Sequence, residues 1–196
     1  MTEGSADHIL QEMLHSAYGE HNLLIYPELG ELKEIYSRYF KSRLENDKEI
    51  MLFLSTYQNV HSVRDTLIDA DLDVTKFEQN DSLVILDSVR SYFGSEFDIL
   101  STIKILSKHS ENQRKEGCCV IADMGLFYDE NELLKLETSL SLKFDSVRCK
   151  GFCCYHEAYF NRLADDQKGL LFEHHYRNLI INKTIYPYNE KISQSS

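Results

Sequence analysis

The sequence contains few of the residues that interrupt regular secondary structure. Of its 196 residues, 8 are glycine and 2 are proline, and tryptophan is absent. This scarcity excludes collagen-like and low-complexity chains, which are rich in glycine or proline. Hydrophobic residues make up 42% and charged residues 27% of the chain, which is an ordinary globular composition. The length suits one domain with a well-filled core.

Positive charge is also scarce. The chain has 21 Lys and Arg against 32 Asp and Glu, for a net charge of −11, and no basic cluster that would contact a nucleic-acid backbone. The N-terminus lacks the basic start and apolar core of a secretory signal, and no apolar window of 18 residues occurs. We therefore expect a cytoplasmic protein with neither nucleic-acid nor membrane partners. The 5 cysteines, an odd number, favour reduced thiols.

Six short runs of aliphatic and β-branched residues begin about 28 to 35 residues apart along the chain. Each run is nearly continuous in apolar character, as is typical of strands that are buried on both faces of a parallel sheet. The predicted strands span residues 22–26, 50–54, 83–86, 118–122, 147–154 and 179–181.

The segments between these strands carry apolar residues at helical spacing. The clearest stripe comprises Leu29, Leu32, Ile35, Tyr36, Tyr39 and Phe40. Asn59 and Asp129 are candidate N-caps of later helices. Alternation of strands and helices predicts right-handed crossovers, and hence an α/β three-layer sandwich with helices on both faces of a mostly parallel sheet. Residues 6–18 predict an amphipathic helix that packs within the chain or, alternatively, on a second chain.

The carboxyl ends of the predicted strands are the place to look for a binding site, because ligands of such sheets bind beyond that edge. The candidate ligand-binding residues are Tyr26, Glu28, Ser55, Asp87, Arg90, Asp123, Tyr155 and His156. Tyr57 and Tyr92 are further aromatic residues that could line an apolar pocket there. Ordinary amphipathic packing explains the tyrosines equally well.

The loop after the first predicted strand, YPELGELKE, lacks the GxxxxGK[ST] pattern of a phosphate loop. That pattern supplies glycines that let the backbone surround the phosphates, a lysine that reaches them and a hydroxyl that binds magnesium. Here a single glycine is accompanied by Glu28, Glu31 and Glu34, which would repel a triphosphate. Asp123 ends the strand CCVIAD as a magnesium-binding Walker B aspartate does, but a carboxylate at a strand end is more often a loop cap.

Cys149, Cys153, Cys154 and His156 lie close together in the sequence and raise the question of a metal site or a catalytic thiol. The segment is predicted to be a strand, so neighbouring side chains point to opposite faces, whereas structural zinc usually takes cysteine pairs from turns. No third group that would orient a Cys154–His156 pair is evident. We therefore predict buried, inert thiols and no catalytic residue.

The remaining histidines give no stronger signal. His21 precedes the first predicted strand, and His174 and His175 lie late in the last predicted helix. Each is expected to be a surface histidine or a hydrogen-bonded core histidine. The sequence therefore predicts no metal site and no cofactor.

With strands and loops placed, a longer pattern becomes visible. The run NDKEIMLFLSTYQNVHSVRDTLIDADLDVTKFEQNDSLVILDS, followed by FDILSTIKILSKHSENQRKEGCCVIADM, resembles the RecA-like core of the KaiC ATPase family. More specifically, the chain is similar to the MEDS (methanogen/methylotroph DcmR sensory) domain, which resembles KaiC without its nucleotide loop. This resemblance extends over about residues 20 to 182 and rests on EHNLLIYPE, LVILDSVRSYFGSEFD, GCCVIADMG and FCCYHEAYFNRLADDQKGLLFEHH.

The resemblance implies a sheet whose predicted strands have the core order 3-2-4-1-5, with the first strand between the fourth and the fifth. It implies a MEDS/RecA-like domain over residues 21–184, preceded by the amphipathic helix within residues 1–20 and followed by a tail over 185–196. It also implies a sensory role, in which members of the family recognise small hydrocarbon derivatives.

Departures from the ATPase pattern argue against catalysis. The GK[ST] motif is missing after Tyr26. After the second predicted strand, LSTYQN occupies the place where the ATPases have a catalytic glutamate. Asp123 alone therefore cannot support phosphoryl transfer. We expect a non-catalytic module that binds a small organic ligand and signals through a separate protein or a homo-oligomer, since no helix-turn-helix is visible. The alternatives are a nucleotide-binding protein in which Arg90 or Lys33 contacts phosphates, and a scaffold that only dimerises.

Overall fold

The computed structural model describes residues 1–87, 99–124 and 130–183, the last range without the side chains of residues 130–132. Four predictions fall outside the described residues: the binding role of Arg90, the pocket-lining role of Tyr92, the helix cap at Asp129 and the tail over residues 185–196.

Within these ranges, seven strands form one parallel sheet, in the order β1-β7-β2-β6-β5-β3-β4. The strands are β1 (Thr2–Gly4), β2 (His21–Tyr26), β3 (Glu49–Ser55), β4 (Leu83–Asp87), β5 (Gly117–Asp123), β6 (Cys149–His156) and β7 (Asn178–Ile181). The six predicted strands are confirmed with small shifts of their ends. β1 was not predicted, because three residues are too few to show a pattern.

Eight helices lie within the described ranges. They are α1 (Ala6–His15), α2 (Leu29–Glu45), α3 (Val60–Asp69), α4 (Val74–Gln79), α5 (Ile99–Asn112), α6 (Glu130–Phe144), α7 (Glu157–Phe160) and α8 (Asp165–His174). The predicted cap at Asn59 is confirmed, since its side chain accepts a hydrogen bond from the Ser62 amide at 2.8 Å. Among these helices, none has both the length and the apolar character needed to cross a bilayer.

The helices cover both faces of the sheet, which confirms the predicted three-layer α/β sandwich. On one face, α1 to α4 bury a core that includes Tyr36, Phe40 and Phe53. On the other face, α5 to α8 bury a second core that includes Ile103 and Leu140. Residues of each central strand alternate between the two cores, so these strands must be apolar on both sides.

The N-terminal helix α1 packs within the chain, as one of the two sequence-based alternatives predicted. Ile9 and Met13 are fully buried in the first core, and Arg43 of α2 donates a hydrogen bond to the Leu14 carbonyl at 2.8 Å. The residues before this helix add β1 to the edge of the sheet beside β7.

The first predicted strand corresponds to β2, and the position predicted for it in the sheet is wrong. β2 does not lie between β5 and β6; instead β6 lies between β5 and β2, paired with both neighbours. Periodicity along the chain identifies strands but not their partners. In the folded chain β6, which is the longest strand and is buried along nearly all its length, occupies the central position of the sheet.

Gly117 begins β5 where little space is left beside it. A methyl group here would stand 2.7 Å from the carbonyl oxygen of Arg148 and overlap the Tyr18 ring. Because backbone atoms cannot move aside as a side chain can, we expect Gly117→Ala to lower the free energy of unfolding by about 1 to 3 kcal/mol in urea denaturation. The added methyl group of Gly169→Ala in α8 would meet nothing within 4 Å. This substitution should leave the free energy of unfolding unchanged or raise it by up to about 1 kcal/mol. Equal losses in both variants would contradict this account.

Candidate functional site

An open cleft lies at the carboxyl edge of the sheet, where β2, β3, β5 and β6 end. Its volume is about 430 Å³. We call it the edge cleft; its walls include Tyr26, Leu29, Tyr57, His156, Tyr159 and Arg162. The parallel topology explains this convergence, since all four strands deliver their last residues to the same edge.

Asp123, at the end of β5, connects the segments beneath the edge cleft by hydrogen bonds. Its carboxylate accepts hydrogen bonds from the Tyr26 hydroxyl at 3.2 Å and from the Tyr57 amide at 3.1 Å. Its carbonyl accepts a further bond from Thr56 Oγ1 at 2.5 Å. Asp123 is only 1% exposed, so it fixes the loop after β3 rather than facing solvent. Burial, and then the charge of Asp123, raises the pKa of Tyr26 far above its ordinary value.

Aromatic rings form much of the wall of the edge cleft. The Tyr26 and His156 ring centroids lie 5.3 Å apart at an interplanar angle of 82°, and those of Tyr57 and His156 lie 6.2 Å apart. His156 Nδ1 accepts a hydrogen bond from the Ala158 amide at 3.1 Å and so caps α7. The neutral His156 ring therefore carries its proton on Nε2. Edge-to-face packing of this kind restrains the orientation of the rings.

The structure brings only part of the predicted site together. Tyr26 and His156 line the edge cleft, with Asp123 directly beneath them. Ser55 is buried, and its hydroxyl donates a hydrogen bond to the Gln58 carbonyl, within the loop after β3. Its role is therefore in shaping that loop.

Other predicted residues lie apart from the edge cleft. Glu28 is solvent-exposed, and Lys183 Nζ donates a hydrogen bond to its Oε1 at 3.0 Å, which lowers the pKa of Glu28. Asp87 ends β4, the outermost strand, with β3 between it and β5. Tyr155 belongs to the core on the opposite face of the sheet from Tyr26.

Tyr155 contacts a group of buried polar side chains that the sequence did not predict. Its hydroxyl donates a hydrogen bond to Oε1 of Glu137 in α6. Around the other oxygen of Glu137 lie His21, Cys153 and His175, all of them buried. We call these four residues, Glu137 included, the buried His–Glu–Cys cluster. Their four candidate ligand atoms lie within 4.8 Å of one another.

Burial and charge both shift the pKa values within the buried His–Glu–Cys cluster. Burial raises the pKa of the Cys153 thiol, and the charge of Glu137 raises it further. Burial lowers the pKa of His21. For Glu137, burial alone would raise the pKa, but the charges and hydrogen bonds of His175 and His21 outweigh it and leave the pKa below its ordinary value.

Sequence reasoning missed Tyr159 and Arg162 of the edge cleft because both lie in or after the short helix α7 rather than at a strand end. It missed the buried His–Glu–Cys cluster because its members come from four distant segments. A weak signal was present, since Glu137 is a charged residue within the apolar stripe of α6.

The hydrogen bond between Tyr26 and Asp123 is accessible to a double-mutant cycle. Asp123→Ala leaves the buried Tyr26 hydroxyl without this acceptor, so we expect the free energy of unfolding to fall by about 1 to 3 kcal/mol in urea denaturation. In a Tyr26→Phe background, Asp123→Ala should lower the free energy of unfolding by a smaller amount. The coupling free energy between the two substitutions should be about 0.5 kcal/mol or more. Strict additivity of the two substitutions would show that this hydrogen bond does not stabilise the edge.

Comparison with known proteins agrees with this architecture. Among solved structures, the chain is similar to a KaiC-like protein of the hyperthermophilic archaeon Pyrococcus horikoshii OT3, with a TM-score of 0.59 and 10% identity, over 83% of this chain and 71% of that one. At this identity the likeness shows a KaiC/RecA-like fold. A search of curated proteins gave no match. The sequence profile described as the MEthanogen/methylotroph, DcmR Sensory domain matches residues 20–175. The chain therefore belongs to the MEDS family of sensory domains.

Proposed function

We propose that the chain is a non-catalytic sensory module that binds a small organic ligand in the edge cleft. The observation that carries this proposal is the convergence of four aromatic rings and one arginine around an open volume of about 430 Å³. Pockets for small molecules typically measure about 300 to 1,000 Å³ and combine apolar walls with a few polar groups. Membership of a family of sensory domains supports the same role.

The lining of the edge cleft indicates the chemistry of the ligand. The rings of Tyr57, His156 and Tyr159, all at least partly exposed, offer flat apolar surfaces to a compact organic body. The Arg162 guanidinium is permanently charged and offers several donors, which suits a carboxylate or another acceptor group. We therefore propose a small, partly apolar ligand that carries one hydrogen-bond acceptor or negative charge.

The first turn of α2 supports a site that no longer binds nucleotides. Glu28 precedes this helix and Glu31 lies in its first turn, where a phosphate loop would offer free amides to phosphate oxygens. Lys183, which approaches this region, pairs with Glu28. The hydroxyls of Ser55 and Thr56 bond to backbone carbonyls in the loops of the edge. Together these contacts favour a degenerate nucleotide site.

The position of α2 suggests how binding is transmitted. Leu29, the first residue of α2, lines the edge cleft, and α1 packs along the same helix. A ligand that contacts Leu29 would therefore act on α2 and, through it, on the N-terminal helix α1. We propose that a separate signalling protein or a second copy of the chain receives the signal from these two helices.

A thermal-shift screen with small carboxylates and short-chain organic compounds tests the edge cleft. A ligand present at about a hundred times its Kd should stabilise the protein by about 2.7 kcal/mol. Tyr57→Ala should weaken that binding at least about tenfold, because it removes one aromatic wall. The matched control is Tyr176→Ala, since Tyr57 is 47% exposed at the edge cleft and Tyr176 is 74% exposed away from it. Equal effects of both variants would place binding elsewhere.

Nucleotides provide the contrasting test. ATP, ADP and GTP with magnesium should leave the melting temperature unchanged, because Glu28 and Glu31 repel phosphates at the start of α2. A concentration-dependent rise with any of the three would instead support the nucleotide-binding alternative, in which the phosphates use a non-standard site.

A further inference from the structure

The geometry points to a structural metal site, suited to Zn²⁺, formed by His21, Glu137, Cys153 and His175. This inference is independent of the edge cleft and of the proposed sensory role. The four residues are supplied by the start of β2, the middle of α6, β6 and the turn after α8. They include two imidazoles, one thiol and one carboxylate, the donor types that zinc takes in proteins.

The distances between the donor atoms fit a tetrahedral ion after small adjustments. His21 Nε2 lies 3.0 Å from Cys153 Sγ and 3.2 Å from Glu137 Oε2. The same Oε2 lies 3.5 Å from Cys153 Sγ, and the remaining pairs are within 4.8 Å. Zinc bonds of about 2.0 to 2.3 Å in a tetrahedron separate neighbouring ligand atoms by about 3.3 to 3.8 Å. Modest side-chain movements would therefore complete the site.

His175 is oriented as a metal ligand would be. Its Nδ1 donates a hydrogen bond to the Leu171 carbonyl at 2.6 Å, so in the neutral ring the lone pair is on Nε2. Nε2 faces Glu137 Oε2 at 3.4 Å. A lone pair and a carboxylate oxygen this close repel each other unless a positive charge lies between them. A proton on Nε2 would supply that charge to this one pair, whereas a metal ion supplies it to all four donor atoms at once.

Charge balance favours a divalent ion at this position. A thiolate and a carboxylate with two neutral imidazoles carry a charge of −2, which one Zn²⁺ ion cancels. A neutral site can remain in the interior, whereas an unbalanced buried charge is strongly unfavourable. Four protein ligands leave no open coordination position, which is typical of a structural zinc site rather than a catalytic one.

The surroundings of the site orient the Glu137 carboxylate and leave a route for the ion. Glu137 Oε1 accepts a hydrogen bond from Tyr155, which orients the carboxylate in the manner common around metal ligands. A surface cleft of about 380 Å³ reaches His21 and His175 from outside. Asp145 and Glu173 are part of its lining and would attract a cation.

Cobalt(II) substitution tests the site directly. The purified full chain is unfolded with a chelator, refolded in the presence of Co²⁺ or Zn²⁺, and analysed for metal content and absorption. We expect one ion per chain, the visible bands of tetrahedral cobalt and a thiolate-to-cobalt charge-transfer band. Cys153→Ser should remove the charge-transfer band and weaken binding at least about 100-fold, because it deletes a direct ligand.

Cys154→Ser is the matched control, since Cys154 is adjacent and equally buried but faces the other core. It should retain the charge-transfer band and the metal stoichiometry. His175→Gln, which keeps the bulk of the side chain, should weaken binding as Cys153→Ser does and serves if that variant fails to refold. Absence of stoichiometric metal in the wild-type chain would overturn the inference, as would equal losses in both cysteine variants.

A zinc site here would make the sequence-based prediction of no metal site wrong. That prediction considered the cysteines together with His156, which lies at the end of the same strand. The inferred site uses one of those cysteines, Cys153, with partners that only the fold brings near it.

Discussion

Burial of the central strands on both faces is the constraint on which the rest of this structure depends. β3, β5 and β6 lie between two helical layers, so their side chains alternate between two apolar cores. Such strands tolerate polar groups only at their ends or where a partner compensates for lost hydration. The chain follows both patterns, with Asp123 at the end of β5 and Cys153 beside Glu137 within the second core.

A third polar group obeys the same constraint near the amino ends of the strands. Glu49 is fully buried on β3, and Lys150 Nζ lies 3.0 Å from its carboxylate. Tyr18 and Tyr39 donate hydrogen bonds to the same carboxylate at 2.8 and 3.0 Å. Every oxygen of Glu49 therefore has a partner, and the group ties β3 and β6 to α2. Loss of the Glu49 carboxylate would leave the buried Lys150 ammonium without this partner.

The edge cleft and the buried His–Glu–Cys cluster are physically connected through β6 and α7. Tyr155 bonds to Glu137 of the cluster, and its ring stacks on Tyr159 with centroids 6.3 Å apart. Tyr159 in turn lines the edge cleft. The edge cleft and the helix α6 are thus joined by direct side-chain contacts. A metal ion that clamps α6 and α8 onto the sheet would keep this connection rigid.

The sequence by itself determined the fold class and the positions of six strands, because continuous apolar runs at a regular period report burial locally. It also shows no GxxxxGK[ST] pattern after β2, and it predicted that Tyr26, Asp123 and His156 lie together, because parallel strands end at one edge. Only the tertiary structure decided that β6 lies between β5 and β2, that Tyr155 turns away from the edge cleft, and that Arg162 joins it. The tertiary structure alone also brought His21 and His175 to Glu137. These features depend on pairing and packing between residues far apart in the chain, which local periodicity does not encode.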